Sequence, residues 1–214
     1  MTRNEINALR DALKRSRSGN AEPREKEQHA ARLAQLCALF PYADPAIAHL
    51  SDEALDSLRA NYERLGKTDG GIVPLATVLR EKISRYPCEG HSPAGIVGRI
   101  LALCRESDDR RTTYGALWTE LTGRPLRQAD IGVLGRYLGH VGLYCADNGL
   151  PNLSVMVVNR QDRALSENAV ANIWIWMRSN GVAVPDTAKD YVQQQAELAA
   201  GWIDTTDFEV AKAA

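Results

Sequence analysis

The 214-residue sequence has no long hydrophobic run and few cysteines, which argues against membrane-spanning and disulfide-rich classes of protein. No segment approaches the ~18 consecutive apolar residues that a membrane-spanning helix needs. Residues 1–20 contain no apolar stretch of the kind found in signal peptides. The four cysteines include no Cys-x-x-Cys pair, so the usual redox and structural zinc spacings are missing. We therefore predict a cytoplasmic protein with reduced, buried cysteines and no membrane association.

The sequence also lacks the short motifs of common catalytic and nucleotide-binding sites. It contains no Gly-x-Ser-x-Gly, no His-Glu-x-x-His and no glycine-rich loop that ends in Lys-Ser or Lys-Thr. Cys88 and His91 have the spacing of half a zinc site, which Cys104, or His140 with Cys145, could extend. Because a second matching pair is missing, we predict no metal site. No catalytic residue and no cofactor are predicted either.

The sequence has no excess of positive or of negative charge. Lysine and arginine number 26, and aspartate and glutamate number 27, which gives a formal charge of −1. This balance argues against a protein that coats nucleic acid by charge alone, but it allows a local basic face. The adjacent acids Asp108 and Asp109 lie in a polar stretch, where solvation accounts for them.

Apolar residues that recur at spacings of three and four predict a mainly helical protein. Ser51, Ser92 and Ser166 are predicted N-caps, as is Thr112 or Thr113. One strand is predicted at residues 153–159, where β-branched valines are concentrated, and the turn at 159–163 could lead into a second short strand. The predicted helices cover residues 3–15, 24–40, 52–65, 74–85, 114–122, 127–148, 167–179 and 187–202, and a further helix runs from Pro93 into the polar stretch at 106–111.

The predicted fold class is mainly α, an N-terminal helical bundle followed by a winged-helix-like domain with a small β element. Residues 1–27 form a flexible segment with a short helix, and residues 28–90 form a helical domain. The winged-helix-like domain with the C-terminal helices covers 91–203, and 204–214 is a loose tail. Length and a hydrophobic content of 44% allow this division into two small domains.

Arginine is concentrated between residues 110 and 163. This stretch has seven arginines, four acids and no lysine, a net charge of +3. Arginine suits bidentate contact with phosphate and guanine. A short helix, a tight turn at 122–125 and a longer helix make a helix-turn-helix order, and the strand and turn that follow would supply a wing. The plain alternative is a solvated rim of charge. The arginines are Arg110, Arg111, Arg124, Arg127, Arg136, Arg160 and Arg163.

Residues 110–166 resemble the C-terminal winged-helix domain of alkylguanine-DNA alkyltransferases and alkyltransferase-like proteins. Residues 113–117 (TYGAL) match the family's helix start, and residues 134–138 (LGRYL) match the core of its recognition helix. Residues 157–159 (VVN) and 164–166 (ALS) match its last element. The resemblance implies a scaffold that binds duplex DNA and places a helix in the minor groove.

Departures from the family pattern exclude its chemistry. The alkyl-accepting position falls at about Ser154, and the His-Arg that follows it falls at Val155 and Met156. The arginine that replaces a flipped nucleotide would fall near Gly132. The resemblance therefore implies neither alkyl transfer nor base flipping.

Within this resemblance, Arg136 and the amides near Thr113 and Tyr114 are expected to meet phosphates. Arg127 and Gln128 are expected in the groove, and the arginines of the turn at 159–163 are expected to hold the DNA backbone from the wing. The predicted DNA-binding residues are Thr113, Tyr114, Arg127, Gln128, Arg136, Asn159, Arg160 and Arg163.

Three functions are compatible with these features. The first is a non-catalytic DNA-binding accessory or regulatory protein, partnered with double-stranded DNA and with a protein, or a second copy, through its N-terminal helices. The second is a protein-interaction module, such as an inhibitor or immunity-type factor of a mobile element, that does not bind DNA. The third is an enzyme on nucleic acid with an unrecognised site. Trp174 and Trp176 are predicted core residues, although one of them could contact a partner.

Overall fold

The computed structural model describes residues 3–16, 23–39, 44–86 and 88–208, and these residues are mainly helical. One small parallel sheet of two strands accompanies the helices in the described part of the chain. The predicted fold class, mainly α with a small β element, is confirmed. The chain divides into two compact units, Met1–Gly90 and His91–Ala214, here called unit 1 and unit 2.

Unit 1 contains four helices among its described residues. They are α1 (Arg3–Ser16), α2 (Pro23–Leu39), α3 (Asp52–Leu65) and α4 (Leu75–Ser84). Helix α1 packs against α2, and α3 packs against α4. Two apolar clusters form the core. One joins Ile6, Leu13, Leu36 and Ala48, and the other joins Ile47, Leu55, Tyr62, Val73 and Val78.

A buried ionic cluster connects α1 and α4. Arg10 lies on the apolar face of α1, where its Nε and Nη2 atoms donate to Glu81 Oε1 at 3.0 and 2.8 Å. The Arg10 and Glu81 side chains are 4% and 0% exposed. Arg85 Nη2 lies 3.6 Å from the same oxygen. Burial raises the pKa of Glu81 and lowers that of Arg10.

Unit 2 is built around α5 (Pro93–Arg105). Its following elements are β1 (Thr112–Thr113), α6 (Tyr114–Thr122), a 3₁₀ turn (Gln128–Asp130), α7 (Ile131–Asp147), a second 3₁₀ turn (Leu153–Met156), β2 (Val157–Val158), α8 (Glu167–Ser179) and α9 (Ala188–Thr205). Helix α5 packs against α6, α7 and α9, and its own buried face is apolar. The two 3₁₀ turns and the short strands carry the chain between these helices.

Helix ends follow the predicted local chemistry. Ser51, Ser92, Thr113 and Ser166 each accept a hydrogen bond from an amide in the first turn of the helix that follows. Gly123 ends α6 in the left-handed conformation, with φ of 70°. Helix α9 runs three residues past the predicted end at 202. The joint expected before residue 24 and the end of the predicted tail lie outside the described residues.

The predicted strand at 153–159 is mostly wrong. Residues Leu153–Met156 form a 3₁₀ turn, and only Val157 and Val158 pair as a strand. The Asn152 side chain explains the difference, because its Oδ1 atom accepts hydrogen bonds from the amide and the hydroxyl of Ser154. The valines are buried in either conformation, so their burial does not require a strand.

The expected second strand after the turn is also wrong. The amide of Asn159 donates to Ala164 O at 3.0 Å, which closes a turn, and α8 begins three residues later. The partner of β2 is instead β1, which precedes α6 and for which the sequence gives no strand signal. The predicted helix at 127–148 begins as a 3₁₀ turn, where Asp130 Oδ2 accepts from the Arg127 amide at 3.1 Å. In the part of the chain that the structure describes, no helix has the length and apolar character needed to cross a bilayer.

Candidate nucleic-acid interface

The two-stranded sheet gathers half of the predicted DNA-binding residues. Strands β1 and β2 are parallel, with Thr113 opposite Val158. Parallel strands end at the same edge, so the residues that follow each strand lie side by side. The register therefore places Tyr114, the first residue of α6, next to Asn159. Arg160 follows Asn159 in the turn after β2. Four predicted residues, Thr113, Tyr114, Asn159 and Arg160, thus lie at this edge of the sheet or within two residues of it.

Asp109, Arg111 and Arg163 form an interlocked group, here called the arginine clasp. Arg163 donates from Nε to Asp109 Oδ2 at 2.9 Å and from Nη2 to Arg111 O at 2.8 Å. Arg111 Nη1 in turn donates to Arg163 O at 2.7 Å. Arg163 holds the pKa of Asp109 well below its usual range, mainly through its side-chain hydrogen bonds to the Asp109 carboxylate. The guanidinium of Arg163 is predicted to contact DNA, but in the structure it donates hydrogen bonds to Asp109 and Arg111.

Two further arginines of the basic stretch are engaged as well. Arg110 Nε lies 2.7 Å from Asp204 Oδ1. Arg124 Nη2 lies 3.2 Å from Asp130 Oδ1, and its guanidinium lies 5.2 Å from the centre of the Trp118 ring. Together with the two arginines of the clasp, four of the seven predicted arginines bond within unit 2.

The other three arginines are exposed. Arg127, Arg136 and Arg160 have no ion pair or hydrogen bond from the guanidinium group to any residue that the structure describes. They lie before the first 3₁₀ turn, on α7 and just after β2. The basic stretch thus contains two groups of arginines. Four form hydrogen bonds or ion pairs within unit 2, and the guanidinium groups of the other three are exposed to solvent.

Helix α7 and the 3₁₀ turn before it present one uncovered face, here called the outer face of α7. We define it by five exposed residues, Gln128, Ile131, Gly132, Gly135 and Arg136, which recur at the spacing of a helix face. Ile131 is 48% exposed. No acid lies among these five residues. The outer face combines one cation, one amide side chain, one apolar side chain and bare backbone.

Glycines on α7 serve two different purposes. A Cβ atom added at Gly139 would lie 3.0 Å from the Trp176 ring, and one added at Gly142 would lie 3.0 Å from Met177 Sδ, so packing favours glycine at both positions. A Cβ atom at Gly132 or Gly135 would meet no atom within 4 Å. Packing inside the chain therefore does not explain the outer pair, although helical glycine costs stability.

Both tryptophans of α8 are half-buried at the edge of the unit 2 core. Trp174 Nε1 donates to Pro185 O at 2.8 Å, and Trp176 Nε1 donates to Gly139 O at 3.1 Å. Each indole N–H group is thus bonded inside unit 2, as expected for tryptophans that pack into a core.

Cys88, Cys104 and Cys145 are buried thiols, and His91 packs against an aromatic ring. No three histidine, cysteine, aspartate or glutamate side chains among them are grouped to hold a metal ion. Burial raises the pKa of Cys104 and that of Cys145 to about 12, which keeps both thiols protonated near neutral pH. His91, the second member of the half-site, packs its ring 6.2 Å from the Tyr137 ring.

The sequence does not predict a role for Asp109 or for Gly132 and Gly135, here called the outer glycines. The sequence alone indicates a solvated acid at Asp109, because its partner Arg163 lies 54 residues away and no local pattern connects the two. The outer glycines left a visible signal, since glycine is rare inside helices and two of them share one face.

Comparisons of the chain with protein-family models, with curated proteins and with solved structures found no match. The resemblance of residues 110–166 to alkyltransferase-like domains therefore stays a prediction from sequence.

Proposed function

We propose that the protein is a non-catalytic DNA-binding accessory or regulatory protein that contacts duplex DNA through unit 2. The observation that carries this proposal is the exposure of Arg127, Arg136 and Arg160 without a partner in the described chain. Phosphate oxygens are ligands for such guanidinium groups, and arginine binds them in a bidentate way. Because the whole chain is close to neutral, binding depends on this local set of cations.

The outer face of α7 is the part of the proposed interface that enters a groove. A helix with its side chains is about 10–12 Å across, whereas the minor groove of B-DNA is about 6 Å wide. Small residues on the facing side reduce this mismatch. The bare backbone at Gly132 and Gly135 therefore supports the minor-groove docking that the family resemblance implies, with Gln128 available for the base edges.

The edge of the sheet is the second point of contact. At the start of α6, amide groups point out of the helix toward an anion. Thr113 caps one of them, the amide of Ala116, with its own hydroxyl. Arg160 follows β2 by two residues at the same edge of the sheet, so we expect a phosphate bound there to meet amide donors and a guanidinium together. DNA binding also agrees with a cytoplasmic protein whose cysteines are thiols.

Fluorescence anisotropy on a generic duplex at several salt concentrations tests the proposal. We expect binding that weakens steeply with salt. We expect Arg136→Ala to weaken binding similarly on all sequences and to lower the slope of log K against log salt by about 0.9, the value for one phosphate contact.

Arg99→Ala is the matched control, because Arg99 is also an exposed arginine of unit 2 but is paired with Glu120 at 2.6 Å. This variant should keep most of the affinity. Absence of binding by the wild-type protein at low salt, or an unchanged slope in Arg136→Ala, would contradict the proposed interface.

The alternative is a protein-interaction module that does not bind DNA. Ile131 favours it, because this 48% exposed isoleucine begins α7 next to the exposed Gly132 and Gly135, where an apolar partner surface can pack. In that case Ile131→Asp would abolish partner binding, and no duplex binding would be found at any salt concentration.

Unit 1 supplies the contact to a protein partner or a second copy in the same proposal. Leu65 and Ile72 are 53% and 74% exposed, which supports such a contact. Light scattering on the full chain and on Ile72→Asp would reveal self-association through this region.

A further inference from the structure

We propose that the arginine clasp is a positioning device that holds Arg160 in place for a phosphate. Asp109 and Arg163 are then positioning residues rather than DNA contacts. This inference rests on the proposed function, because it assigns Arg160 to the DNA backbone. It also assigns Arg163 a different role from the one that the sequence suggests.

The turn that carries Arg160 is fixed at both ends. On one side, Val158 is paired with Thr113 across the sheet. On the other side, the Arg163 side chain bonds to Asp109, and its carbonyl group accepts from Arg111. Only residues 159–162 lie between these anchors. A long, rotatable side chain loses less entropy on binding when its backbone is already held.

Hydrogen bonds inside the turn support the same conformation. The amide of Asn159 donates to Ala164 O at 3.0 Å. The amide of Ala164 donates to Asp162 Oδ1 at 3.1 Å, a local side-chain bond typical of turns. The exposed side chain of Arg160 makes no bond to the described chain, so the turn is held by its neighbours and not by Arg160 itself.

Arg163, which anchors the turn, has an unfavourable backbone conformation. Its φ is +54°, in the left-handed region that glycine adopts without penalty and arginine rarely adopts. Such a conformation persists when surrounding bonds over-determine it. Arg163 is bonded through both its side chain and its carbonyl group, and Ser107 Oγ accepts a further bond from its Nη2 at 2.9 Å.

Asp109→Ala distinguishes positioning from simple electrostatics, because the two predict opposite signs. Loss of one negative charge and release of the Arg163 guanidinium would strengthen DNA binding if charge alone mattered. If the clasp positions Arg160, Asp109→Ala weakens binding to a generic duplex several-fold and lowers the salt slope toward that of Arg160→Ala.

Asp108→Ala is the matched control, since the adjacent Asp108 is exposed and carries the same charge outside the clasp. This control should bind at least as tightly as the wild-type protein. Asp109→Glu, which keeps the carboxylate, should recover part of the affinity.

A double-mutant cycle identifies the residue through which Asp109 acts. We expect Asp109→Ala to have no further effect in an Arg160→Ala background and its full effect in an Arg136→Ala background. Equal effects in both backgrounds, or stronger binding by Asp109→Ala, would overturn the positioning role.

Amide hydrogen exchange without DNA tests the clasp independently. The Asn159 amide should exchange about tenfold faster in Asp109→Ala than in the wild-type protein, because charge-assisted hydrogen bonds that hold the turn are lost. It should be unchanged in Asp108→Ala. Unchanged exchange in Asp109→Ala would overturn the clasp whatever the duplex result, whereas absence of wild-type duplex binding would overturn the proposed function and with it this use of the clasp.

Discussion

The two units of the chain differ in whether they bury an ion pair. Unit 1 buries the pair of Arg10 and Glu81, at 4% and 0% exposure. In unit 2 the ion pairs of the described residues lie at the surface, as for Arg99 with Glu120 at 59% and 40% exposure. Removing a pair of charges from water costs free energy that their attraction rarely exceeds. Unit 1 therefore depends on the completeness of its buried pair, whereas the ion pairs of unit 2 form at its surface and leave Arg127, Arg136 and Arg160 exposed to solvent.

Unpaired atoms in unit 1 sharpen this contrast. Arg10 Nη1, Glu81 Oε2 and Arg85 Nε are buried without a hydrogen-bond partner in the described chain. In unit 2 the only buried side-chain atom in the same condition, among described residues, is Trp118 Nε1. A polar cluster that is only partly satisfied contributes less to stability than its number of contacts suggests. The cluster nevertheless links α1 to α4 through the bonds of Arg10 to Glu81.

The largest effect is expected from Glu81→Ala. Removing the carboxylate leaves the Arg10 guanidinium buried without its partner, which should lower the free energy of unfolding of unit 1 by about 3–5 kcal/mol. All four tryptophans lie in unit 2, so their fluorescence reports that unit alone. In urea, the far-UV circular dichroism should show early loss of helix while the tryptophan transition changes little.

Two variants control this prediction. The double variant Arg10→Met with Glu81→Leu removes both charges and should recover most of the lost stability, or exceed the wild-type value. Arg59→Ala breaks an exposed pair of unit 1, with Glu63, and should cost less than about 1 kcal/mol. If Glu81→Ala lowered the free energy of unfolding by no more than Arg59→Ala does, the stability of unit 1 would not depend on the buried ionic cluster.

A smaller loss is expected in unit 2 from Gly139→Ala. The added methyl group would press on the Trp176 ring at 3.0 Å and disturb the bond from Trp176 Nε1 to Gly139 O. Overpacking outweighs the gain in helix propensity, so the tryptophan transition in urea should shift to a stability lower by about 1–2 kcal/mol. A gain in stability would show that Trp176 moves aside without cost.

Local chemistry accounts for the parts of the fold that the sequence predicts correctly. Ser51, Ser92 and Ser166 cap helices because a side-chain oxygen needs only an amide three residues ahead. Apolar spacing likewise locates the helix faces without knowledge of their partners. These signals lie within one turn of the chain, so a single sequence contains them in full.

Long-range pairs account for what the sequence does not predict. Arg10 and Glu81 are separated by 71 residues, and Asp109 and Arg163 by 54. Nothing in the spacing of charges marks which arginine will find an acid, so the basic stretch looks uniform in sequence. Strand β1 depends on the same kind of distant contact, since two threonines become a strand only because β2 lies beside them.

The smallest expected change in stability is a gain, and it concerns the outer face of α7. Gly135→Ala adds a methyl group where no atom lies within 4 Å, so it should stabilise unit 2 by about 0.5–1 kcal/mol through helix propensity. Under the proposed function the same methyl group stands between the helix backbone and the duplex, and should weaken binding. Urea denaturation followed by tryptophan fluorescence, together with anisotropy on a generic duplex, measures both effects on one variant. If Gly135→Ala stabilises unit 2 but leaves the duplex affinity unchanged, DNA does not contact the outer face of α7. A helix bound in a groove would have no room for an added methyl group on the side that faces the DNA.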